Sequence, residues 1–83
     1  MVIEEDWGIS PKRIRQFFLD QPDVTEGPNV FQYGTCQITL TPTQRRLMNK
    51  WSQVRTVVRF EGPDAEVKTI HQQFFLQFLS AGG

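Results

Sequence analysis

The chain has 83 residues, 39% of them hydrophobic, and nine Lys and Arg balance nine Asp and Glu. A chain this short makes a single domain with a small core, and a zero net charge gives it no overall attraction for nucleic acid or membrane. One cysteine, Cys36, and one histidine, His71, exclude an internal disulfide and a multi-ligand Cys/His zinc site within one chain.

No signal peptide and no apolar run near ~18 residues is visible, so a reduced, soluble protein of the cytoplasm is expected, with no membrane partner. The neutral total hides a layout. Residues 1–26 hold six acids and three bases, residues 27–60 five bases and no acid, and residues 61–83 three acids and one base. Seven Phe and two Trp are a heavy aromatic load for this length, and some of these rings are expected to be covered by a partner.

In chain order, residues 1–9 read as a flexible start, with Glu4, Glu5 and Asp6 solvated; residues 80–83 read as a flexible end. Ser10 followed by Pro11 is a helix-start signal and predicts a helix over about 11–20, with Ile14, Phe17 and Phe18 on its core face. The following "DQPDVTEGPN" reads as a loop, on its prolines, glycine and Asx residues. In "NVFQYGTCQITLT" the alternation changes phase between Tyr33 and Cys36. A two-residue turn at Gly34-Thr35 restores it, pairing Tyr33 with Cys36 and Phe31 with Ile38 on one face, and Gln32 with Gln37 on the other. A glycine bulge within one long strand is the competing reading.

Helical spacing of Leu47, Met48 and Trp51 after Thr41-Pro42 predicts a short helix over about 43–51. "VRTVVRF" then predicts a strand with Val54, Thr56, Val58 and Phe60 on one face and Arg55, Val57 and Arg59 on the other. Pro63 starts the last helix, whose first turn carries Asp64 and Glu66, where the helix dipole favours anions. Val67, Ile70, Phe74, Phe75, Phe78 and Leu79 share its apolar face, and His71 falls among them. The expected fold class is α+β: a small antiparallel sheet of about three strands with helices on one face, in the order α-β-β-(short α)-β-α. The open side of that sheet would show Gln32, Gln37, Thr39, Arg55 and Arg59. This order resembles that of double-stranded-RNA-binding domains, but the last helix begins "PDAEV", acidic where that family places lysines.

His71 is expected to be structural, buried and neutral, because its helical neighbours offer no nucleophile or carboxylate. Cys36 reads as a small buried hydrophobe. With no phosphate-binding loop, nucleophile elbow or spaced acid pair, the expectation is a protein that is not an enzyme and uses no cofactor and no metal. Two binding readings stand. The leading one is a small protein-interaction or regulatory module that docks on a partner, or forms a homodimer, through Phe75, Leu76 and Leu79 of the last helix. The alternative is nucleic-acid or other anion binding by Arg45, Arg46, Lys50, Arg55 and Arg59, five cations in fifteen residues with no acid.

Overall fold

The hairpin at Gly34-Thr35 forms as the change of phase requires. The computed structural model describes residues 1–27, 30–47 and 51–79, with the backbone alone for 44–47 and 51–53. In it Tyr33 pairs with Cys36, Gln32 with Gln37 and Phe31 with Ile38, and Gly34 turns the chain at φ 61°. Phe31, Cys36 and Ile38 are buried on one face while both glutamines are exposed on the other, so the hairpin replaces the bulge.

The fold is α+β, with two helices and an antiparallel sheet of five strands. In chain order the elements are β1 (Val2–Trp7), α1 (Pro11–Leu19), β2 (Val24–Glu26), β3 (Phe31–Tyr33), β4 (Cys36–Leu47), β5 (Trp51–Glu61) and α2 (Asp64–Leu79). The sheet order is β1-β5-β4-β3-β2, so the first two strands lie on opposite edges. α1 bridges them across one face, and α2 packs on that same face beside it, with Phe17 edge-on to both Phe74 and Phe78.

Three expectations are corrected. Residues 2–7, expected to be flexible, form β1 and pair with β5 along their whole length, from Val2↔Glu61 to Trp7↔Thr56. The expected loop after α1 contains the short β2, paired with β3. The helix expected over 43–51 is absent among the described residues, because β4 runs on to Leu47 and pairs with β5 as far as Leu47↔Trp51. Cross-strand pairing there overrides the helical spacing of the apolar residues, as tertiary context often does. Pro42 is tolerated because β3 covers only residues 36–38 of β4, so beyond them one flank of the strand needs no N–H for a neighbour. Residues 80–83 lie outside the described residues.

The sequence dictates the helices more directly. Ser10 caps α1 by accepting a hydrogen bond from the Arg13 N–H, and Pro11 opens the helix. Ile14 and Phe18 of α1, Phe31 of β3, Cys36 and Ile38 of β4, and Val58 and Phe60 of β5 meet Val67, Ile70, Phe74 and Phe78 of α2 in one buried cluster. Phe18 and Phe74 stack at its centre, 5.7 Å apart and nearly parallel. The buried Thr56 hydroxyl donates to the Ile9 carbonyl at 2.8 Å and pins the chain between β1 and α1.

Candidate functional site

α2 buries a narrower stripe than its composition suggests. Val67, Ile70, Phe74 and Phe78 face the sheet, whereas Phe75, Leu76 and Leu79 are 36%, 60% and 58% exposed. These three residues are neighbours at helical spacing, so they form one continuous apolar ridge on the outer side of the helix. Trp7 flanks the ridge, its ring edge-on to Phe75 at 5.9 Å and to Phe74 at 5.1 Å. Five of the seven phenylalanines, Phe18, Phe31, Phe60, Phe74 and Phe78, are buried within this single chain, and Phe17 packs partly against them. Phe75 is the one left at the surface.

His71 lies at the border of the ridge rather than deep in the core. Its Nε2 is 2.9 Å from a Glu5 carboxylate oxygen, and the side chain is one-fifth exposed. The same oxygen accepts a hydrogen bond from the Trp7 indole N–H at 3.2 Å, and the imidazole stands edge-on to Phe60. The expectation of a deeply buried histidine with no carboxylate beside it is corrected. A carboxylate arrives from β1, which the helix's own neighbours could not reveal, and it lies within hydrogen-bond distance of the ring. Glu5 is itself drawn inward because it shares the inner face of β1 with Ile3 and Trp7.

The basic stretch divides in two. Arg59 meets Glu61 at 2.9 Å and Glu4 at 3.6 Å, and Arg55 meets Asp6 at 2.9 Å, all on the open face of the sheet. β1 therefore spreads a row of carboxylates over two of the five cations. Glu61 holds the Arg59 guanidinium above its ordinary pKa, first by hydrogen bonding and then by its charge. Arg45 and Arg46 occupy β4 backbone positions opposite Gln53 and Ser52; their side chains, and all of Lys50, lie outside the described residues.

Cys36 is fully buried, and burial pushes its thiol pKa up, which makes it a poor nucleophile. No group of three or more His, Cys, Asp or Glu side chains that could hold a metal is found among the described residues. A groove between the helices is lined by Arg13, Gln16, Phe17, Asp20, Gln77 and Phe78. Glu66 is held by two short hydrogen bonds from one residue. It accepts from the Thr35 hydroxyl at 2.8 Å and the Thr35 N–H at 2.7 Å, and these bonds, the hydroxyl first, lower its pKa. This latch ties α2 to the β3–β4 turn beside Gly34, where a Cβ would push the carboxylate aside.

No described helix is long and apolar enough to cross a membrane. No curated protein and no solved structure matches the chain. The family described as archaeal MoaD-like protein matches residues 4–83, from within β1 through both helices and the whole sheet. The chain belongs to the archaeal MoaD-like protein family.

Proposed function

We propose that this protein is a non-catalytic protein-docking module that works in the cytoplasm and engages its partner, or a second copy of itself, through the ridge of Phe75, Leu76 and Leu79. The single observation that carries the reading is that these three exposed side chains stand together on one helix, whereas the other exposed large hydrophobics among the described residues, Met1, Val2, Leu19 and Val54, are divided between the N-terminal strand, α1 and β5. Exposed apolar side chains that form one contiguous strip are the usual anchor of an interface, and the polar residues around them serve as its rim. Gln72 and Gln73, on the same helix and both exposed, offer such a rim.

Two further observations support docking over chemistry or nucleic-acid binding. The Cys36 thiol is buried, and the His71 ring is engaged by Glu5 and Phe60, which favours a structural over a catalytic role for both. Intramolecular carboxylates sit against Arg55 and Arg59, and they would repel phosphates approaching that face.

Capture with the full chain as bait tests the reading. After nuclease treatment, wild type should retain a defined protein partner, or itself, and the Leu76→Glu, Leu79→Glu variant should lose it while keeping the circular dichroism of the folded chain. Equal capture by both forms, or capture that nuclease abolishes, would overturn the proposal.

A further inference from the structure

The two longest strands outrun their neighbours. β3 covers β4 only at residues 36–38, and β1 covers β5 only at residues 56–61, yet β4 and β5 remain paired to Leu47↔Trp51. Beyond the body of the sheet they form a two-stranded ribbon whose outer backbone edges pair with no other strand among the described residues. Such edges are where another extended segment can add as a strand. Within residues 41–55 the sequence places Arg45, Arg46, Lys50 and Arg55 and no acid.

The protein already contains a pattern for what fits beside this ribbon. β1 runs along the inner part of β5 and is acidic at three consecutive positions, Glu4, Glu5 and Asp6. Its outer-face acids meet Arg59 and Arg55 of β5, and its inner-face acid meets His71 of α2. On the other flank, Arg45 and Arg46 stand at consecutive register positions of β4, and among the described residues no strand pairs with them on the side away from β5.

We infer that the β4 edge at residues 43–47 takes up an acidic extended segment of a partner protein as an added strand, with carboxylates at consecutive positions opposite Arg45 and Arg46. Pro42 has no N–H to offer, so it ends the pairing edge and helps to fix the register. Five residues span roughly 17 Å of strand, a common strand length. A row of unpaired N–H and C=O groups suits a peptide backbone and has no counterpart in a polynucleotide, so the ribbon favours an acidic peptide over RNA. This surface is distinct from the α2 ridge and goes beyond the docking proposed for it.

Amide NMR of the full chain, titrated with a blocked peptide Thr-Val-Glu-Asp-Val-Thr, provides the test. The expected result is a set of shifts centred on residues 43–47, weakened by salt and absent when alternate peptide nitrogens are methylated. Arg45→Ala with Arg46→Ala should weaken binding roughly two- to thirtyfold, the range for two cross-strand charge pairs. Leu76→Glu should leave these shifts unchanged, which separates this site from the helix ridge. The inference is overturned if no shifts appear, if they centre elsewhere, if the methylated peptide binds equally well, or if oligouridylate of equal charge binds residues 43–47 more tightly.

Discussion

Replacing Gly34 by alanine tests two features of the β3–β4 turn at once. The backbone there has φ 61°, a conformation that costs an L residue about 1–2 kcal/mol. A methyl group would also fall 2.8 Å from the Glu66 carboxyl carbon, which displaces the carboxylate from the Thr35 N–H and hydroxyl. The two penalties separate in a double-mutant cycle, because Glu66→Ala removes the obstacle and the latch together but leaves the backbone strain. In the Glu66→Ala background, Gly34→Ala should cost only the strain, a fall of roughly 4–16 °C in Tm for a domain of this size. In the wild-type background it should cost measurably more. Urea and thermal melts of the four proteins measure both values. An equal cost in the two backgrounds would show that the carboxylate does not occupy the space beside Gly34; no cost in the Glu66→Ala background would refute the left-handed turn.

Other consequences are simpler. Phe74→Ala removes a fully buried ring that touches Trp7, Phe17, Phe18, Phe60 and Phe78, and should cost about 3–5 kcal/mol in urea titrations. Thr56→Val keeps the shape but strands the Ile9 carbonyl, and should cost about 1–3 kcal/mol by the same assay. Hydrogen bonds from Thr35 lower the Glu66 pKa, so its contribution to stability is complete above the unfolded carboxylate value near ~4.3 and is lost as pH falls through the lower folded value. The stability gap between wild type and Glu66→Gln should therefore be constant near neutrality and close on acidification below about pH 4.

The parts of this fold that depend on neighbouring residues were legible in the sequence. α1 carries its start signal in Ser10-Pro11, the β3–β4 hairpin shows as a change of phase around Gly34, and α2 begins at its proline and acids. Pairings between distant segments were not legible. β1 has no clear sequence signal because its inward set is Ile3, Glu5 and Trp7, and the central acid hides the alternation; Glu5 finds its partner there in His71 of α2. The extension of β4 was masked by apolar residues that happen to fall at helical spacing, while the decisive fact was a matching strand at 51–57.

The ridge itself was only half legible. Phe75, Leu76 and Leu79 stand out in the sequence as surplus apolar residues, but helical spacing alone sets Phe75 and Leu79 on the same face as Phe74 and Phe78. The packed helix separates them, because the sheet and α1 leave room for a single row of side chains. The basic stretch read as one surface, and the acids of β1 divide it. The Glu66 latch had no sequence signal, since Glu66 and Thr35 are 31 residues apart.

Site-specific photo-crosslinking tests the docking claim most directly. A benzophenone side chain at position 76, on the exposed ridge, is compared with one at position 37, on the open face of the sheet. The account predicts discrete protein adducts from position 76, insensitive to nuclease and absent when Leu79→Glu is added, and none of the same adducts from position 37. Adducts from position 37 alone, or adducts at position 76 that prove to be nucleic acid, would contradict it.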